Sequence, residues 1–131
     1  MRQLPLIFIL TVFVIVLLSC GNSSDKLQSI SVTPATADAK DYANGQVQFA
    51  ASGMYSNGRE VKPLAVLWTG GSPWVMQPWA IQIDGNGLAS CVSAVGTFEV
   101  WAVAPINANI PLSAMNQSTP QVSGTAQLTC P

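Results

Sequence analysis

The chain reads as an all-β sandwich of about seven short strands, and three observations carry that reading. Stretches alternating between apolar and polar residues recur along the chain. Tight-turn signals part them at intervals of about 8–12 residues. Beyond residue 26, nothing keeps helical spacing for longer than a turn. The inner faces of two sheets would then form the core.

Taken in order, Leu27 to Thr33 alternates until Pro34, which has no N–H to add to a ladder. Residues 35–45, rich in Ala, Asp, Lys, Asn and Gly, are expected to form a loop. Gln46 to Ser52 alternates again, with Val47, Phe49 and Ala51 on one face. Ser56-Asn57-Gly58 is a tight turn, because Asn-Gly tolerates the positive φ that hairpins need. Leu64, Val66 and Trp68 share a face of the next strand. Ala80 to Ile83 leads into Asp84-Gly85-Asn86-Gly87, a second turn of residues that accept left-handed backbone. Leu88 to Val92 and Thr97 to Val103 follow, parted at Gly96, with Phe98, Val100 and Ala102 opposing Glu99, Trp101 and Val103. In Val122 to Cys130, Ala126, Leu128 and Cys130 fall on one side.

Several of these short motifs occur in one family's order. Ile30-Ser31-Val32-Thr33-Pro34-Ala35, Gly45-Gln46-Val47-Gln48-Phe49 and Tyr55-Ser56-Asn57-Gly58 are followed by Val66-Leu67-Trp68-Thr69, Asp84-Gly85-Asn86-Gly87-Leu88-Ala89 and Gly96-Thr97-Phe98-Glu99-Val100. Over residues 27–104 the chain resembles a bacterial immunoglobulin-like domain of group 2. The resemblance implies an immunoglobulin-like β-sandwich, here residues 27–131, and a role in adhesion or in binding cell-surface protein or carbohydrate. Gly70 to Trp79 departs from the pattern, carrying Pro, Trp and Met where the family has a short Ser/Asn-rich turn.

Ahead of this domain, Arg2 gives a positive start, Leu4 to Leu18 is apolar apart from Pro5 and Thr11, and Leu17-Leu18-Ser19-Cys20 ends the run. That is the layout of a signal peptide, expected as an N-terminal signal helix over residues 1–19. It is similar to the bacterial lipoprotein signal, which implies that Cys20 becomes the lipid-bearing first residue. An uncleaved membrane span is the alternative, although such a span normally needs about 20 mostly apolar residues. Residues 20–26 would form the lipidated cysteine and a short tether, reaching no farther than about 20 Å. The expected address is the cell envelope; Gly21 after the cysteine resembles the pattern that sends Gram-negative lipoproteins to the outer membrane.

Charge and residue inventory exclude several functions. Charged residues make up only 8% of the chain and form no basic stripe, so the footprint of a nucleic-acid binder is missing. There is no histidine, the commonest general base and metal ligand. Hydroxyls without a partnering base are poor nucleophiles, and Glu60, Asp84 and Glu99 form no recognisable pair. The chain is therefore expected to be no enzyme and to need no metal or cofactor. With Cys20 set aside, Cys91 and Cys130 remain and read as one disulfide in an exported protein, with buried free thiols as the alternative.

Tryptophans carry the remaining information. Trp68 falls where immunoglobulin-like sandwiches keep a buried tryptophan. Trp74, Met76 and Trp79 form an apolar set in a connection, which must be buried or in use. They either fold back to plug an open end of the sandwich or form a contact patch for a protein partner or for sugar rings. Asp84-Gly85-Asn86-Gly87 offers too few oxygens for calcium and reads as a turn. The long Pro105–Gln121 connection is a functional loop or a mobile arm, expected at the opposite end from Gly70–Trp79.

Together these features point to a membrane-anchored lipoprotein whose non-catalytic domain serves envelope binding, adhesion or structure. The alternative is an accessory subunit of an envelope complex, docking through the aromatic loop. Metabolic labelling with a palmitate analogue is expected to mark the wild-type chain and to leave Cys20→Ala unlabelled. Equal labelling of the two would remove the anchor.

Overall fold

The computed structural model describes residues 25–72, 75–76 and 79–131, with only the backbone at Ser72, Val75 and Met76. The expected signal helix, Cys20 and Trp74 lie outside the described residues.

Nearly all regular structure is β, arranged in several sheets, with single-turn 3-10 segments as the only helices among the described residues. Strand β1 spans Leu27–Thr33, β2 Thr36–Asp38, β3 Gln46–Gln48 and β4 Ala50–Tyr55. After them come β5 (Glu60–Val61), β6 (Leu67–Ser72), β7 (Val75–Met76) and β8 (Ile81–Ile83). The last three are β9 (Leu88–Cys91), β10 (Gly96–Pro105) and β11 (Gln121–Cys130).

The largest sheet runs β2-β11-β10-β6-β7. Smaller sheets run β1-β4-β5 and β3-β9-β8. The two smaller ones are joined through β3 and β4, consecutive pieces of one extended run broken at Phe49. The Phe49 N–H donates to Gly87 O at 2.8 Å, in line with the β3–β9 register. Ile30, Val32, Val47, Phe49 and Ala51 from this side meet Val100, Ala102, Ala104, Ala126 and Leu128 from the large sheet in one core cluster. The alternation in these strands therefore places one face inward on each side, as in a sandwich.

Near its start the chain changes sheets. β1 pairs antiparallel with β4, whereas β2, only three residues later, pairs parallel with β11. Pro34 separates the two, and Gln127 N donates to Ala35 O at 2.9 Å as the new ladder begins. Residues 35–45 are thus not simply a loop: they hold β2 and two 3-10 turns. The sequence pattern also passes over β5 and β7, each only two residues long.

Close contact between the two sides depends on small residues. Across β10 and β11, Val100 faces Ala126 and Ala102 faces Gly124, a shallow inner surface on which β1 rests. A Cβ on Gly124 would stand 2.5 Å from Ile30 O and 2.9 Å from Ile30 Cγ2. The first of these neighbours is backbone and cannot rotate away. At the far end, Cys91 and Cys130 form a disulfide with Cα atoms 5.8 Å apart, tying β9 to β11 and hence one side to the other. In the chain-entropy model, closing a loop with sequence separation 39 contributes about 4 kcal/mol.

Gly124→Ala is expected to destabilise the domain by about 2 kcal/mol through overpacking, lowering the thermal midpoint by roughly 10 °C. Gly85→Ala is the control, since nothing lies within 4 Å of its added methyl and its φ is not positive. Equal midpoints for the two variants would show that β1 does not bear on Gly124.

Candidate binding surfaces

Strand register divides the molecule into two ends. Leu27 lies opposite Tyr55, Leu67 opposite Val103, and Pro105 opposite Gln121, so these residues share the end at which the chain enters. Gly96 lies opposite Cys130 at the other end, where the disulfide and the β6–β7 hairpin sit. The 105–121 connection and the β6–β7 hairpin therefore lie at opposite ends.

At the entry end the incoming segment is firmly held. Leu27 N donates to Ile106 O at 3.0 Å and Ser56 N donates to Lys26 O at 2.8 Å. Lys26 N donates to Ser56 Oγ at 3.0 Å, and Asn57 Nδ2 donates to Asp25 Oδ2 at 2.7 Å. The turn at 56–58 is itself closed by Tyr55 N donating to Arg59 O and Gly58 N to Tyr55 O, both at 2.9 Å. The Arg59 guanidinium rests 5.3 Å above the Tyr55 ring. Asp25, the first of these residues, lies five peptide links from Cys20, a distance of at most about 18 Å.

The opposite end is apolar. Trp79 is 59% exposed, and Val92 and Val95 are 48% and 79% exposed. Trp79 stands edge-on to Phe98, with ring centroids 6.1 Å apart. The strap from Val92 to Val95 is fixed beside it, because Val92 N donates to Ala80 O at 3.0 Å and Ser93 Oγ to Trp79 O at 3.2 Å. For Trp79, then, the plug is a correction: its ring covers one edge of Phe98 and leaves most of itself in solvent. Met76 is placed only as a backbone partner of Gly71 in the hairpin. Val92 and Val95 were not singled out from the sequence. Their signal was present in the apolar residues flanking Ser93 and Ala94 before the Gly96 turn.

Along one side of the sandwich runs a third surface, a pair of clefts separated by Trp68. One, of about 450 Å³, is lined by Gln46, Thr69, Gln82, Asp84 and Ser90 besides Trp68. The other, of about 500 Å³, reaches Gln48, Pro63, Ala65, Asn86 and Leu112. Trp68 packs against the core, as expected, and is partly buried. Its strand is the last long one on that edge of the large sheet.

Asp84 organises the turn between the clefts. Its Oδ1 accepts from Asn86 N at 2.8 Å and from Leu88 N at 2.9 Å, while Gly87 N donates to Asp84 O at 3.1 Å. Gly87 has φ +85°, and a Cβ there would meet Phe49 O at 2.5 Å, so glycine is required twice over. Gln48 Nε2 braces the turn by donating to Asn86 O at 2.7 Å and to Phe49 O at 3.0 Å. The 84–87 segment is thus a self-satisfied turn.

Other polar groups are paired at the surface. Trp101 Nε1 donates to Glu99 Oε2 at 2.9 Å. Asp38 and Lys40 form an exposed ion pair at 3.0 Å. The hydrogen bond from the Lys40 side chain, and then that from its backbone N–H, hold the Asp38 carboxyl below its ordinary value; the same pairing raises Lys40. No group of three or more Cys, Asp or Glu placed to hold a metal occurs among the described residues. No protein-family model matches the chain, and no curated protein matches its sequence.

Asp84→Ala removes two backbone hydrogen bonds and is expected to destabilise by about 1–2 kcal/mol. Asp84→Asn keeps an acceptor at the same place and should lie within about 0.5 kcal/mol of wild type. Millimolar calcium should leave all three denaturation midpoints unmoved. A calcium-dependent rise confined to wild type would make the turn an ion site.

Proposed function

We propose that this chain is a membrane-anchored lipoprotein whose immunoglobulin-like sandwich is a non-catalytic binding module of the cell envelope. Strand order supports the immunoglobulin-like part. An extended first segment splits between the two sides, antiparallel to β4 and then parallel to β11, and the β2-β11-β10-β6-β7 order follows. The lipobox-like Leu17 to Cys20 supports the anchor. Three acyl chains would hold such a protein effectively permanently, each buried methylene contributing about 0.8 kcal/mol.

One observation carries the functional part: Asp25 to Leu27 are held at one end, and Trp79, Val92 and Val95 stand exposed at the other. A tether of at most about 18 Å holds the entry end near the bilayer and turns the apolar end outward. Exposed aromatic and aliphatic side chains presented together suit a protein contact, in which Trp dominates affinity. The same placement favours the second reading, an accessory subunit that docks its apolar end onto an envelope complex.

Photo-cross-linking in intact cells tests both. A benzoyl-phenylalanine at Val95 is expected to capture an envelope protein, whereas one at exposed Thr125, midway along β11, should capture none. A single neighbour in fixed stoichiometry identifies a subunit, and a varied set identifies a free binding module. Equal and sparse capture from the two positions would remove the apolar end from function.

A further inference from the structure

The Trp68 clefts are built differently from the apolar end. Gln46, Ser90 and Gln82 stand in one register row across β3, β9 and β8, and all three line the first cleft. Asn86 brings a further amide to the second, together with the carbonyl oxygen of Gln48, whose Nε2 already donates to Phe49 O and Asn86 O. Between the clefts, Trp68 offers an indole held from behind by Gly87, where even a methyl group would stand 3.0 Å from Cε2. Its indole N–H has no partner among the described residues, unlike that of Trp101. Asp84 is the only charged residue lining either cleft, and its Oδ1 is already engaged by two backbone N–H groups.

We infer that this pair of clefts is a binding site for a neutral oligosaccharide, one sugar ring lying against Trp68 and its neighbours reaching the two amide sets. The inference names the ligand class of the binding module proposed above and rests on that part of the reading. An aromatic face accepts the apolar C–H side of a sugar ring. Amide side chains both donate and accept, which matches hydroxyls that do the same. The near-absence of charge disfavours phosphorylated or acidic glycans, which would call for Arg or Lys. Each cleft falls in the size range of small-ligand pockets, about 300–1,000 Å³. Two clefts sharing one indole suit a chain of rings better than a single one. A peptide laid along the free edges of β6 and β8 is the competing occupant. It would use backbone groups and would leave the glutamine row without a role.

The full chain, held in an amine-oxide detergent that contains no sugar, is to be titrated with cellohexaose and with chitohexaose. Tryptophan fluorescence and amide chemical shifts report binding. At least one sugar is expected to saturate, with shifts centred on residues 46, 68, 82 and 90. Trp68→Phe should weaken it about tenfold. Because that change touches the core, Gln46→Ala/Gln82→Ala, at two exposed positions, is the second variant, expected to weaken binding about fivefold or more with an unchanged melting curve. No binding of either sugar up to about 5 mM, or equal binding by wild type and the double variant, overturns the inference. So does an unstructured peptide that binds in place of the sugars. Palmitate labelling and Val95 cross-linking in the same strains separate the readings: if they persist without sugar binding, only this site falls. Sugar binding with labelling lost leaves the site and removes the anchor.

Discussion

The contact between the backbone of Ile30 and the bare Cα of Gly124 sets the spacing of the whole sandwich. With a side chain there, β1 could not lie across β11, and the chain could not pass from one sheet to the other within three residues. The inner face around it is correspondingly shallow, built from alanines such as Ala102, Ala104 and Ala126. Bulk comes instead from Phe49, Ile81 and Leu128, all fully buried. The disulfide at the far end and the close approach near the entry end thus hold the same two sides together at separate points.

Much of this was legible in local patterns. Turn chemistry at 56–58 and 84–87 located two connections, because side-chain oxygens of Asn57 and Asp84 and the glycines beside them are sufficient to close those turns. Alternation identified β11 with its inward face and the inward Val100 and Ala102 of β10. A register shift between Leu27 and Ser29 breaks the period in β1, and Val103 is buried although it lies on the opposite face of β10. What escaped was decided at long range. β2 has three residues, none of them large and apolar, and its existence depends on β11 lying alongside. The partial exposure of Trp68 is likewise absent from its own strand's pattern. Alternation tells which face a residue takes, not how far that face is covered. Trp79 shows the converse, being apolar in a connection yet mostly in water.

The three surfaces divide the molecule's chemistry. The entry end is hydrogen-bonded, the far end apolar, and the flank between them mixes amides with apolar residues around one indole. They differ in what they could offer a partner: apolar area at one end, and amide and indole groups along the side.

The parallel pairing of β2 with β11 has a mechanical meaning. If the entry end is pulled toward a membrane while the far end is held, β2 and β11 are drawn in opposite directions along their length. All their hydrogen bonds then share the load at once, rather than parting one after another like a zipper. Force reaching the Val92–Val95 strap can pass through the Cys91–Cys130 bond into β11, the same strand that β2 grips. A sandwich connected in this way is suited to stay folded when its two ends are pulled apart.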